Sequence, residues 1–185
     1  MDGVLVLDDA VAAADMRRLT DLAAMLDFEA QQLGRGGFSS RQRATSNEPW
    51  ISELIWRTVS PKVRDLATFF ADPAQRPNVD PPIECWKAYA CNPVTRFYRY
   101  RAGAAFGRHV DEPWSPSPTQ RSVLTILLYL DSDFCQGGET AFDDAVVAAE
   151  TGRLVMFNHL MPHEGRIVER GTKITLRSDV LAVAP

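Results

Sequence analysis

The sequence predicts an α+β fold, mainly β, with helices from its front half packed on a jelly-roll core built by its back half. Three observations carry this. The hydrophobic period changes from helical to alternating across "ADPAQRPNVDPP" (71–82), whose four prolines rule out regular structure there. Downstream lie many short segments rich in β-branched and aromatic residues, separated by turns, as in a sandwich or closed barrel. No sustained strand–helix alternation occurs, which disfavours a doubly wound sheet.

The elements follow in order. "GVLVLDDA" reads as a short strand, Val4 to Leu7, with a helix N-cap at Asp8 or Asp9. In "AVAAADMRRLTDLAAMLDF" the apolar positions Val11, Met16, Leu19, Leu22, Ala23 and Leu26 recur at helical spacing. "GRGG" (34–37) ends that helical unit, and the polar residues from Phe38 to Pro49 read as a loop. "WISELIWRTV" is a second helix; Pro61 kinks it or starts a new turn, and "KVRDLATFF" is expected to continue helically. Beyond the prolines, "IECWKAYA", "TRFYRYR", "RSVLTILLYL", "GRLVMFN" and "KITLRSDVLAV" are the predicted strands. The expected organisation is a single domain, 1–185, with a helical supporting half (1–82) and a catalytic core (83–185).

Composition narrows the function. Apolar residues make up 45% and charged residues 24%, the ordinary globular range, and the formal net charge of −4 argues against sequence-independent nucleic-acid binding. Three cysteines with no C-x-x-C pair fit a reducing compartment, and no signal peptide or bilayer-length apolar run is evident. A cytoplasmic protein without a membrane or nucleic-acid partner is expected.

The chemistry begins at "FGRHVDEP" (106–113). His109 and Asp111 are two apart, so on a strand an imidazole and a carboxylate face the same space. Alone, the pair is as readily a satisfied surface contact. The remaining histidines, His159 and His163, both follow the strand "GRLVMF". Two histidines and one carboxylate form the facial triad of non-haem Fe(II) oxygenases, though the same donors would also suit zinc. On the strand after His163, Lys173, Thr175 and Arg177 share one face and Ile174 and Leu176 the other. That pattern suits a dicarboxylate held at its far end, or an exposed barrel edge.

The pieces "RFYRYRAGAAFGRHVDEP", "RSVLTILLYLDSDFCQGGETAF", "GRLVMFN" and "HEGRIVERGTKITLRSDV" together resemble the 2-oxoglutarate- and Fe(II)-dependent dioxygenases, in the branch containing the prolyl 4-hydroxylase catalytic domain. The resemblance covers about Thr95 to Val180 and implies a double-stranded β-helix of the cupin-like jelly-roll type. It implies Fe(II), 2-oxoglutarate and O2, with ascorbate supportive, and His109, Asp111 and His163 as the catalytic metal ligands. His163 matches because the family's basic residue follows ten positions later at Lys173; His159, lacking that spacing, becomes a supporting group. Lys173 and Thr175 would hold the far carboxylate of 2-oxoglutarate, with Arg177 its rival, and Tyr100 would reach the co-substrate.

Tyr98 shares the strand face of Tyr100, and both could instead be core aromatics of the barrel; Tyr129 alternates with Thr125 and Leu127 on a face that would line the pocket. Arg43, in "RQRATS" (41–46), and Trp114, in the lid-like "EPWSPSPTQ" (112–120), complete the substrate candidates. "GGET" (137–140) reads as a structural turn. Arg96, Arg99, Arg101 and Arg108 either favour an anionic substrate or form a solvated strand face. The activity implied is hydroxylation of an unactivated C–H bond of a small molecule, amino acid or amino-acid derivative, with release of succinate and CO2. Alternatives are the same chemistry on a peptide or protein side chain, desaturation or cyclisation, a cupin-type zinc hydrolase or isomerase, and an inactive jelly-roll module binding a metal or small acid.

Overall fold

The computed structural model describes residues 3–30, 40–132 and 134–185; the turn expected at 34–37 lies outside them. In chain order the elements are β1 (Val4–Leu7), α1 (Ala13–Met25), β2 (Glu29–Ala30), β3 (Gln42–Ser46), α2 (Pro49–Val59), β4 (Lys87–Cys91), β5 (Thr95–Arg101), β6 (Phe106–His109), β7 (Gln120–Asp131), β8 (Gln136–Gly137), β9 (Thr140–Ala141), β10 (Val146–Val147), β11 (Leu154–Asn158), β12 (His163–Gly165), β13 (Val168–Arg170) and β14 (Thr172–Val183). Strands dominate, and two sheets form the jelly roll. The large sheet runs β1-β11-β7-β14-β5-β3-β2, with β4 also on β14, and the small one runs β10-β9-β12-β6.

Period-two alternation divides the large sheet into two chemistries. Leu124, Ile126 and Leu128 of β7, Leu154 and Met156 of β11, Leu176 and Val180 of β14 and Phe97 of β5 turn outward. They bury against Leu19 and Ala23 of α1 and Ile51, Leu54 and Ile55 of α2. The helices exist to cover this apolar face; burying each such side chain contributes on the order of 1.5–3 kcal/mol. The intervening residues turn inward, towards the small sheet. Antiparallel register aligns them in rows, with Tyr98 opposite Thr175, Thr175 opposite Tyr129, and Tyr100 opposite Lys173. In the small sheet, His163 lies directly opposite His109.

Four local expectations need correction. Helix α1 starts at Ala13 after Ala12, not after an aspartate cap. Asp8 instead accepts a hydrogen bond from Arg153 Nε at 2.6 Å, in the turn where the Ala10 N–H donates to the Gly152 carbonyl. The polar run read as a loop contains β3, whose residues pair with β5 throughout; tertiary pairing overrides weak strand propensity. "KVRDLATFF" forms only short 3-10 turns at Ser60–Lys62 and Leu66–Phe69. There the Asp65 carboxylate accepts from the Ala67 N–H, competing with helix continuation. Finally, Ile83–Cys85 is a 3-10 turn, and the strand starts at Lys87.

Among the described residues no helix is long and apolar enough to cross a membrane.

The β13–β14 turn that delivers Lys173 depends on Gly171. Its φ is +82°, and a Cβ there would sit 2.3 Å from the Phe134 carbonyl oxygen. Gly171→Ala is expected to destabilise the protein by about 1–3 kcal/mol from backbone conformation alone. A lower denaturant midpoint at unchanged slope in equilibrium unfolding checks this.

Candidate metal and dicarboxylate site

His109 ends β6, His163 begins β12, and Asp111 lies two residues past β6. Their ligand atoms lie within 4.8 Å of one another. His109 Nε2 is 3.6 Å from Asp111 Oδ1, and His163 Nε2 is 3.8 Å from Asp111 Oδ2. The other ring nitrogens are committed: His109 Nδ1 donates to the Gly107 carbonyl and His163 Nδ1 to the Met161 carbonyl, both at 2.9 Å. Those backbone acceptors fix the tautomer, so both Nε2 lone pairs face the carboxylate. Two neutral imidazoles and one carboxylate, oriented this way, fit a divalent cation of the Fe(II) or Zn(II) kind.

The carboxylate is buried yet ionised. Burial alone would raise its pKa, but the adjacent Arg177 guanidinium, foremost among the surrounding charges, holds it well below the usual range. Arg177 Nη2 lies 3.2 Å from Asp111 Oδ1 and 3.1 Å from Asp179 Oδ1. Burial would lower the pKa of Arg177; the two aspartates overcome this and raise it. His163 and His159 are pushed down to about 4, chiefly by burial, which keeps both rings neutral at physiological pH.

A cavity opens from this cluster between the sheets. Its lining includes Tyr98, Tyr100, Tyr129, Lys173, Thr175 and Arg177 besides the three cluster residues. Lys173 is 2% exposed. Its Nζ donates to the Gly138 carbonyl and lies 4.3 Å from the Tyr100 ring centroid. Among the described residues no carboxylate pairs with it, and burial lowers its pKa to about 8. The Tyr129 hydroxyl is 2.7 Å from Thr140 Oγ1.

The substrate candidates divide. Tyr98 and Tyr129 line the cavity, whereas Trp114 is exposed and lies outside the lining. The 112–120 segment is stitched to β7 on both sides of Trp114: its N–H donates to Ser122 Oγ at 2.9 Å and its carbonyl accepts from the Ser122 N–H at 2.8 Å. Arg43 is also exposed and outside the lining. Arg41, two residues earlier, enters instead. Its guanidinium carbon lies 3.8 Å from the Tyr98 ring centroid and 3.7 Å from that of Phe106, and Nη1 donates to the Tyr100 hydroxyl at 3.0 Å. Both arginines occur in "RQRATS"; with β3 unrecognised, nothing in the pattern chose between them. The four arginines near the "HVD" motif do not converge on the cavity. Arg96 pairs with Asp179, Arg108 with Asp143, Arg99 stacks on Phe28, and Arg101 is exposed. His159 is buried but outside the lining; Thr125, expected to line the pocket with Leu127 and Tyr129, is also outside it and instead bonds both His159 and Asp111.

Comparison with known proteins agrees with this geometry. The sequence profile of the 2OG-Fe(II) oxygenase superfamily matches residues 95–178. A PKHD-type hydroxylase of Xanthomonas campestris pv. campestris is 25% identical over 186 residues, spanning 92% of this chain and 75% of the relative. In fold, the chain is similar to a Pseudomonas putida prolyl-4-hydroxylase (TM-score 0.64, 17% identity, 100% of this chain and 94% of the other). It is also similar to a Trichoplax adhaerens prolyl hydroxylase in complex with a hypoxia inducible factor peptide fragment (TM-score 0.63, 14% identity, 97% and 84%).

The buried rings tie stability to pH. His159 and His163 bind a proton near 6.5 when unfolded but only near 4 when folded, so between these values the unfolded chain holds more protons. The metal-free protein should keep full stability from this source above about pH 6.5 and lose it progressively towards about pH 4. Thermal melts across that range test this; a flat profile would contradict it.

Proposed function

The chain belongs to the 2OG-Fe(II) oxygenase superfamily through residues 95–178, and from that premise we propose that it hydroxylates an unactivated C–H bond of a small molecule, amino acid or amino-acid derivative. It is a 2-oxoglutarate-dependent dioxygenase, using Fe(II), 2-oxoglutarate and O2. In this reading His109, Asp111 and His163 hold the iron and Lys173 holds the far carboxylate of 2-oxoglutarate. Bound there, iron and co-substrate supply the oxidising chemistry, with succinate and CO2 released and ascorbate supportive.

One observation carries the co-substrate assignment: Lys173 is a buried cation with no carboxylate partner among the described residues. Burying a charge without a counter-charge costs several kcal/mol. A dicarboxylate reaching between the sheets would supply that counter-charge. Thr175, one row along β14, offers a hydroxyl, and Tyr100 covers the ammonium with its ring. Arg177, the rival, already faces Asp111 and Asp179, so its charge is neutralised inside the protein. The remaining cavity residues orient and shield. Tyr98, Phe106 and Leu127 present apolar surface that excludes water from the reacting end, and the backbone carbonyls hold each ring's Nδ1 so that Nε2 faces Asp111.

A second reading is the same chemistry on a peptide side chain. It is favoured by the likeness to a prolyl hydroxylase in complex with a peptide, and by relatives named PKHD-type hydroxylases.

Full-length protein with Fe(II), ascorbate and labelled 2-oxoglutarate should release labelled succinate above background, and His163→Ala should abolish this. Lys173→Met should raise the KM for 2-oxoglutarate about ten- to a hundredfold, the worth of a charge-assisted hydrogen bond. An unchanged KM would transfer the role to Arg177.

Binding should also depend on pH. Lys173 must be protonated to meet the anion, and its free pKa is about 8, in surroundings that include Cys135, Glu139 and Arg41. Affinity for 2-oxoglutarate, measured by calorimetry, should be constant below that value and fall about tenfold per pH unit above it.

A further inference from the structure

Behind the Asp111 carboxylate runs an unbroken line of hydrogen bonds. Thr125 Oγ1 donates to Asp111 Oδ2 at 2.5 Å, and His159 Nδ1 lies 2.8 Å from the same hydroxyl oxygen. On its far side, His159 Nε2 lies 2.8 Å from Ser122 Oγ, and the Trp114 N–H donates to Ser122 Oγ at 2.9 Å. The two ends determine the direction of every bond between them. An ionised carboxylate only accepts, and a backbone N–H only donates. Thr125 has one hydroxyl proton and gives it to Asp111, so its oxygen accepts from His159 Nδ1–H. Nε2 is then bare and accepts the Ser122 hydroxyl proton, leaving the Ser122 oxygen to accept from Trp114. One neutral tautomer of His159 satisfies the entire line with no donor left over.

The same residue grips Asp111 through the backbone: the Asp111 N–H donates to the His159 carbonyl at 2.8 Å. Asp111 thus lies in a strand-free stretch yet is fixed at its main chain by His159, at Oδ2 by Thr125 and at Oδ1 by Arg177. Thr125 is the hydrogen-bond donor that holds Oδ2.

We propose that His159 is a positioning residue that, acting through Thr125, sets the orientation of the Asp111 carboxylate and pre-organises the metal site. This rests on the reading of Asp111 as a metal ligand. The third histidine of the chain is therefore not spare. It is the rigid spacer that joins the 112–120 segment, through Ser122, to the site carboxylate, and it does so from outside the cavity.

Co(II) titration of the full chain under anaerobic conditions, followed by visible absorption, tests this without turnover. Thr125→Val removes the hydroxyl at nearly constant volume and should weaken Co(II) binding about ten- to a hundredfold, as loss of an outer partner of a metal ligand typically does. It should also shift the visible bands, which report coordination geometry. Thr125→Ser, which keeps the hydroxyl, should restore affinity and spectrum. His159→Phe should weaken binding similarly, and the Thr125→Val/His159→Phe double variant should be no worse than the weaker single, because both cut one line. Should His159→Phe fail to fold, the valine and serine variants of Thr125 carry the test. Wild-type affinity in Thr125→Val, with Co(II) binding lost in Asp111→Ala, would overturn the positioning role and leave the metal site standing. Fully additive losses in the double variant would overturn the coupling through Thr125. Wild-type affinity in Asp111→Ala would overturn the metal-site reading and this inference together.

Discussion

Keeping one carboxylate ionised inside a barrel is the constraint around which the inner face of this protein is arranged. Asp111 is 7% exposed, and an unpaired charge so placed would cost several kcal/mol. The fold answers with a charge layer. Arg177 bridges Asp111 and Asp179; Arg96 and the Asn92 amide complete the surroundings of Asp179. Residues 177 and 179 share a strand face, so a single strand supplies both the cation and the balancing anion. The layer also neutralises Arg177 and leaves Lys173, two rows away on the same face, as a buried cation with no carboxylate paired to it among the described residues.

The sheet divides its labour by parity. On β5, β7, β11 and β14, one set of alternate residues packs on the helices and supplies most of the apolar burial. The other set carries Tyr98, Tyr100, Thr125, Lys173, Thr175 and Arg177. A register slip of one residue on β14 would exchange Lys173 for Ile174 and turn a cation into the helix-covered core. Stability and site geometry are therefore specified by the same hydrogen-bonded register. The helices contribute to chemistry only by making the alternative register prohibitive.

Much of this was legible in the sequence because it depends on period two and short spacing. Alternation along "KITLRSD" placed Lys173, Thr175 and Arg177 on one face, and the two-residue step from His109 to Asp111 placed both in one space, although Asp111 lies just past its strand. What stayed hidden depends on pairing between distant segments. β3 is a polar run whose strand character comes from β5, so Arg41 and Arg43 could not be told apart. His159 read as a supporting group without identifiable partners, because only the fold sets it beside Thr125 and Ser122, 34 and 37 residues away in the chain. The helix cap failed for the same reason, since Asp8 is engaged by distant Arg153, whereas the 3-10 turn at Leu66–Phe69 reflects a local competitor, the Asp65 carboxylate accepting from the Ala67 N–H.

The three histidines show how one residue type is sorted by its neighbours alone. His109 and His163 each give Nδ1–H to a carbonyl two residues back in sequence, an acceptor supplied by their own strand or turn. Their Nε2 atoms are left facing Asp111. His159 has its Nδ1 taken by a side-chain hydroxyl and its Nε2 by another, so no lone pair remains for a cation. In the proposed site a ring can serve as a ligand when backbone satisfies one nitrogen and nothing satisfies the other; a ring satisfied at both ends becomes a strut. Exchanging the roles of His159 and His163 would require different partners: the Thr125 and Ser122 hydroxyls of β7 satisfy one ring, and the Met161 carbonyl before β12 satisfies one nitrogen of the other. The metal-site geometry is in that sense a property of the sheets, read out through which imidazole nitrogen they leave bare.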